Sequence, residues 1–349
     1  MNPSLSRTGG GELGVARIVA DWLEEAGLEV HVEEAAPGRP NVVGVARGSG
    51  GGRSLLLNAH TDTVGLLAPD GALDARVEDG RLYGRGAYDM KGSLAAIMAA
   101  GVACAALGLR GDVIVTAVAD EEAGSIGTEL LLEGWGADAA IVAEPTDERL
   151  CIAHRGWVAF DIETEGRAAH GSRPDLGIDA IAMMGPTLVA IEALDRALRA
   201  RPSHPLLGTG SIHASLIEGG QEYSSYPARC LLRGERRTIP GERREQVEAE
   251  LRGLVGDVAG SISFPFGRDP METPADTEIV GAVQKQTGSA EVHGAPFWTD
   301  AALFAEAGIP AVLFGPTGDG AHAAVEWVEL ASLERCRDLY VAVAADFCA

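Results

Sequence analysis

Four short stretches constrain this chain more than any other feature: SLLLNA (54–59), VIVTAVA (113–119), AAIVA (139–143) and IPAVLF (309–314). Each is apolar almost without interruption, so as a strand it has no face suited to water. Helical patterns lie before and between them. ELGVARIVADWLEEAG (12–27) spaces Val15, Ile18, Val19, Trp22 and Leu23 as one helix face and closes on Gly27. An Ala-rich segment at about 91–107 and SIGTELLLEGW (125–135) also read as helices. Further strands are expected at 28–33 and 41–46, and a hairpin at 72–83. Apolar strands alternating with helices predict an α/β fold: a mixed, largely parallel sheet flanked by helices.

From about residue 154 the texture changes. WVAFDIETEG (157–166) alternates as a half-exposed strand does, and 177–199 is a long amphipathic helix. SIHASLIEGG (211–220) and ARCLLRGERR (228–237) read as strands, GERREQVEAELRGLVGDV (241–258) as a charged helix, and SISFPF (261–266) as a last short strand. This βαββαβ order predicts a ferredoxin-like α+β insertion of about 154–266. The α/β domain is then discontinuous, 1–153 plus 267–349.

The apolar strands share a second property, which is how they end. The first runs into His60 and Asp62, the second into Asp120, Glu121 and Glu122, the third into Glu144, and the fourth into GPTGDGAH, reaching His322. Asp89, on the turn before the Ala-rich helix, belongs to the same edge by position. In open α/β sheets the carboxyl ends of the strands are where ligands bind. Two imidazoles and several carboxylates without a thiolate suit Zn²⁺, Co²⁺ or Mn²⁺, and a set this rich can hold two ions. Asp62, two residues beyond His60 on a strand, can accept the imidazole's second N–H. Of Glu121 and Glu122, one can ligate while the other stays free as a general base.

Charge and cysteine content narrow the partners. With 28 basic against 51 acidic residues the net charge is −23, which argues against nucleic acid and anionic membranes. Five scattered cysteines without a CxxC pair suggest a reducing compartment and no thiolate metal site. The amino terminus has no apolar signal core, and no apolar run reaches the ~20 residues of a membrane span. A cytoplasmic protein is expected. Gly-x-Ser-x-Gly is absent, which argues against a serine hydrolase.

Seven segments, AHTDTV (59–64), GRGAYDMKG (84–92), ADEEAGSIG (119–127), AEPTD (143–147), AAHGSRPDLGIDA (168–180), ERRTIPGE (235–242) and GPTGDGAHAAVEWV (315–328), resemble the di-zinc hydrolase family of acetylornithine deacetylase, succinyl-diaminopimelate desuccinylase, aminoacylase and carboxypeptidase G. They recur in the family's order over nearly the whole chain. The resemblance implies two Zn²⁺ per subunit: His60 and Glu144 on one, Glu122 and His322 on the second, with Asp89 bridging them. It further implies that Asp62 orients His60, Glu121 is the general base, and His170 donates to the tetrahedral oxyanion, often across a dimer boundary. Arg237 would clamp the substrate's carboxylate, a task that suits a planar guanidinium. Trp298, Thr299 and Asp300 match a segment near the active site. The insertion would serve as lid and homodimer surface. The expected reaction is deacylation of a small N-acyl amino acid.

Two departures stand out. GGQEYSSYP puts Ser224 where relatives carry a substrate-binding asparagine. The first helix also begins unusually close to Met1, where relatives have another helix upstream, so an earlier natural start is expected. His31, His154, His204, His213 and His293 have no partner motif and read as structural. Alternatives are a dipeptidase or carboxypeptidase on the same scaffold, a metal-free binding homologue, and a di-metal phosphoesterase using Arg155, Arg173 and Arg237.

Overall fold

The apolar stretches become neighbouring strands of one sheet in the computed structural model, which describes residues 11–66, 73–255 and 260–349. The strand Leu55–His60 lies between Val113–Val118 and Ala139–Val142, parallel to both, and Ala311–Leu313 continues the sheet parallel to Ala139–Val142. Beyond Val113–Val118 come Arg39–Ala46 and Glu29–Ala36, both antiparallel. The sheet is therefore parallel at its centre and antiparallel at this margin. Leu55, Leu56 and Leu57 are fully buried, and each such leucine contributes about 2 kcal/mol of transfer free energy.

The Ala-rich segment forms one helix behind a turn. Ala87–Lys91 forms a short wide turn, and the helix proper runs Gly92–Ala105. Its small residues allow a close approach to the sheet: a Cβ on Gly101 would lie 2.4 Å from a methyl of Val115. The expected hairpin forms from Arg76–Glu78 and Arg81–Tyr83, while its first residue, 72, lies outside the described residues. With Trp327–Glu329 and Gly318–Asp319 it makes a small four-stranded sheet.

Two compact units result. One runs to Ile152 and resumes over Thr273–His293 and Thr299–Ala349; the other is Ala153–Glu272 with Gly294–Trp298. The second unit extends past the expected boundary at 266 because Met271 and Glu272 pair with His154 and Ala153. Its sheet orders Ser211–Gly219, Arg229–Thr238, Gly156–Glu165 and Ser261–Ser263, every pair antiparallel. Alternate residues of Gly156–Glu165 are buried, which is the alternation visible in the sequence. The helices Ala180–Arg199 and Arg244–Val255 bury Met184, Ile191, Val247 and Leu251 with Phe160, Ile162 and Leu232. Asp179 caps the first helix by accepting from the N–H of Ala182 at 2.9 Å. His154 is a core imidazole here: burial pushes its pKa down to about 4, so it stays neutral. Among the described residues no helix is long and apolar enough to cross a membrane.

Candidate active site

Parallel register aligns the strand ends. His60 sits opposite Val118, and Asn58 opposite Val142, so Glu144 reaches the level of His60. The Ala143 N–H donates to Asn58 O at 2.9 Å and extends the ladder to that point. His60 Nε2 lies 3.1 Å from Asp89 Oδ1, and His322 Nε2 lies 3.3 Å from Asp89 Oδ2. One carboxylate thus faces two imidazoles, one through each oxygen. Glu122 stands 3.0 Å from His322 Nε2.

These contacts sort into two triplets sharing Asp89: His60, Asp89 and Glu144, and Asp89, Glu122 and His322, with the donor atoms of each within 4.8 Å of one another. Tetrahedral ligands about 2.05 Å from a zinc ion stand about 3.3 Å apart. The observed nitrogen–oxygen separations are of that size, and the mix of carboxylate and imidazole suits a borderline divalent cation. The residues present fit two ions.

The electrostatics point the same way. Burial would push the His60 imidazolium down, but Asp62, Asp89 and Glu144 override it and hold its pKa well above the ordinary value. Contacts with Asp89 and Glu122, against partial burial, raise His322 to about 10. Asp89 goes the other way: burial would raise it, yet His322 and His60 hold it far below the usual carboxylate range. Burial raises Glu144, helped by Asp89 and Glu122 and opposed by His60. A carboxylate-rich pocket thus favours positive charge at both imidazoles, and divalent cations would supply it in their place.

Glu121 belongs to neither triplet. Burial first and then the charge on Glu144 raise its pKa well above the usual range. Glu121 and Glu122 lie on a turn just past the strand Val113–Val118. Residues 121–124 form a turn, with Asp120 in the left-handed region at φ 72°. Asp120 O accepts from the N–H groups of Gly124 and Ser125 at 2.9 and 2.6 Å. Asp62 completes the turn: its Oδ1 accepts from Glu121 N and its Oδ2 from Glu122 N, both at 3.1 Å. Asp62 thereby does more than orient His60. The His60 Nδ1 hydrogen bond, 3.0 Å, goes to the main-chain oxygen of Asp62, and the carboxylate lies 3.4 Å away.

Arg39 and Asn41 add support that the sequence reading did not name, and Asp300 lies in the segment that the resemblance placed near the site. Arg39 holds the turn from behind by bonding Asp120 and the fully buried Glu12. Asn41 accepts from Ala119 N at 3.1 Å and donates to Gly127 O at 2.7 Å. Asp300, buried, accepts from the Thr128 hydroxyl at 2.6 Å, and burial lifts its pKa to about 6. Arg39 and Asn41 open a buried strand, where a polar residue was the available signal.

The second unit brings together His170 and Ser224. Gly171 N donates to Ser224 O at 2.6 Å, Tyr226 N donates to Ala169 O at 2.9 Å, and His170 bridges to Ser225. The His170 ring is exposed, with Nδ1 2.8 Å from the Ser172 hydroxyl. Arg237 sits near the end of its strand, its Nε donating to Glu235 at 2.8 Å and its guanidinium 6.0 Å from the centre of the Trp157 ring.

A largely parallel α/β sheet whose carboxyl edge gathers two imidazoles and two glutamates around a shared aspartate has the donor set of a metallohydrolase centre. A family model described as Peptidase family M20/M25/M40 matches residues 56–346. An acetylornithine deacetylase of Myxococcus xanthus is 33% identical, covering 93% of this chain and 90% of its own. Two solved structures share the fold. The aminopeptidase PepT of Bacillus cereus superposes with a TM-score of 0.82 at 16% identity over 100% of this chain and 95% of its own. A dinuclear metal-binding peptidase of Bacillus subtilis gives 0.74 at 17% identity over 99% and 94%. The chain belongs to Peptidase family M20/M25/M40 and is a metal-dependent amide hydrolase.

Proposed function

We propose that this protein hydrolyses the amide bond of a small N-acyl amino acid, releasing the acyl group as a carboxylate and the amino acid as a free amine. The observation that carries the reading is the pairing of two donor triplets on Asp89 with a general base, Glu121, outside both. The 33% identity to an acetylornithine deacetylase favours a deacylase. His60, Asp89 and Glu144 would hold one ion and Asp89, Glu122 and His322 the second, with zinc the expected metal and Co²⁺ or Mn²⁺ able to substitute. Two such ions, when bound, polarise the scissile carbonyl and make water acidic enough to attack at neutral pH.

Glu121 accepts the proton of the attacking water as its oxygen bonds to the acyl carbon. The same carboxyl then passes that proton to the amine nitrogen as the C–N bond breaks. Asp62 holds Glu121 and Glu122 by their main-chain N–H groups, so both carboxylates keep their aim. His170, with Nδ1 engaged by Ser172, has Nε2 to offer to the developing oxyanion. Arg237 would take the substrate's carboxylate, and Ser224, beside the His170 loop, would contribute a hydroxyl to the same end.

The test is turnover of a panel of N-acetyl amino acids beside unblocked dipeptides, with metal-loaded and EDTA-treated protein. Turnover of the acetylated substrates alone, abolished by EDTA, is expected. Turnover of dipeptides alone would move the assignment to a dipeptidase or carboxypeptidase on the same scaffold.

The second unit supports a homodimer. Its outer strand Ser211–Gly219 pairs on one side only among the described residues, and carries Leu216 and Ile217 exposed; Ile181 and Val189 are exposed on the helix Ala180–Arg199. A free edge beside apolar side chains is a surface that folded proteins usually cover. Sedimentation is expected to give twice the chain mass, and a single species of one chain mass would refute the dimer. All five cysteines are unpaired and buried, in keeping with the cytoplasm as the working compartment.

A further inference from the structure

We infer that Glu326 and Arg85 form a buried clamp that fixes the spacing of Asp89 and His322, and thereby how tightly the ion between them is held. The inference rests on the two-ion reading above. Neither residue offers an atom to the donor triplets. Glu326 follows His322 by four positions, and its side chain is 2% exposed. Its Oε1 accepts from Tyr88 N at 2.9 Å and Asp89 N at 3.0 Å. Its Oε2 accepts from Gly86 N at 3.0 Å and Arg85 Nη1 at 2.6 Å. One carboxylate thus satisfies three N–H groups of the turn that presents Asp89.

Arg85, 3% exposed at its side chain, carries the grip to the other side. Its Nη2 donates to Ala323 O at 2.5 Å, the residue next to His322. The ion pair therefore holds the main chain of both ligand-bearing loops at once. The small sheet brings them within reach: Trp327 pairs with Tyr83, and Gly84 N donates to Glu326 O at 3.1 Å. Ala87, Tyr88 and Val328, from the same two segments, pack with Leu82 and Leu333.

The two ligands depend on such a hold. His322 has a side chain 56% exposed and a left-handed backbone at φ 61°, so packing does little to aim its ring. Asp89 departs from helical angles inside its turn, at φ −115° and ψ 96°. In both cases the main chain sets the side chain's direction, and the clamp sets the main chain. An apolar pair could not accept from three N–H groups.

Co²⁺ titration of full-length, chelator-treated protein tests this, following visible absorption and bound metal. The parent is expected to take up two ions. Glu326→Gln replaces one acceptor oxygen by an NH₂ that opposes Arg85 and the main-chain donors. It should weaken one Co²⁺ site by about 10- to 100-fold, the usual effect of losing a group that orients a metal ligand. Turnover at limiting Co²⁺ should fall likewise and recover at high Co²⁺, with KM unchanged. Arg85→Lys keeps the charge but cannot reach both Glu326 and Ala323, and should weaken the same site by about tenfold. A purely structural pair would lower the melting temperature and leave Co²⁺ affinity alone. Either variant, folded and binding both ions as the parent does, overturns the clamp, and Arg85→Lys decides if Glu326→Gln does not fold. A parent taking up fewer than two ions overturns the two-ion reading and the clamp with it.

Discussion

Glu121→Ala should abolish amide hydrolysis while leaving two bound ions and an intact fold. Glu121 lies outside both donor triplets, so its loss removes no ligand. Its main-chain N–H, which donates to Asp62, survives the substitution, so Glu122 keeps its aim. What disappears is the group that accepts the water's proton and delivers it to the departing amine. General acid–base catalysis contributes about 10²- to 10⁴-fold, and here one carboxyl serves both transfers, so the loss is expected near the upper end. The effect should fall on kcat with little change in KM, because the proton transfers belong to the transition state. Stability provides a second readout. Glu121 is a buried carboxyl crowded by Glu144, as its raised pKa records, and removing it relieves desolvation and like-charge repulsion. The melting temperature of the ion-free variant should equal or exceed that of the parent. Turnover within tenfold of the parent, or loss of an ion, would remove Glu121 from the role of base.

The ligand-bearing edge could be read from sequence because parallel strands share a register. Once four apolar runs are aligned, the residues that follow them must lie along one rim, and His60, Glu144 and the Asp120–Glu122 turn do so. The alternation in Gly156–Glu165 likewise carried the second unit's sheet into view. Contacts between distant segments left no such trace. Arg85 meets Glu326 across 241 positions and Arg39 meets Glu12 across 27, and a single arginine or glutamate has no periodicity to announce its partner. The turn at 121–124 was also beyond pattern reading. Its shape depends on a carboxylate from beyond the end of another strand, Asp62, accepting two successive N–H groups. Sequence therefore exposed the donor atoms better than the groups that aim them. Asp62, expected only to steer His60, steers all three of its neighbours.

Asp89→Asn should produce the largest loss of metal of any single ligand substitution. Asp89 belongs to both triplets, His60 Nε2 facing its Oδ1 and His322 Nε2 its Oδ2, whereas every other donor belongs to one. Asparagine keeps the size but replaces one oxygen by an NH₂ group, which repels a cation and cannot ligate it. It also removes the negative charge shared between the two positions, so the ion on the side that keeps an oxygen is weakened as well. After dialysis the variant is expected to retain less than one ion per chain. His322→Ala, by contrast, strips a single donor from the more exposed triplet and should retain one ion close to the parent's affinity. Turnover of Asp89→Asn should fall by about a thousandfold or more, since the several kcal/mol supplied by metal polarisation vanish together. Metal analysis of the two variants alongside the parent separates a bridging role from an ordinary one. If Asp89→Asn and His322→Ala lose metal equally, the two triplets do not share a ligand in solution; if Asp89→Asn keeps both ions, Asp89 is not a ligand at all.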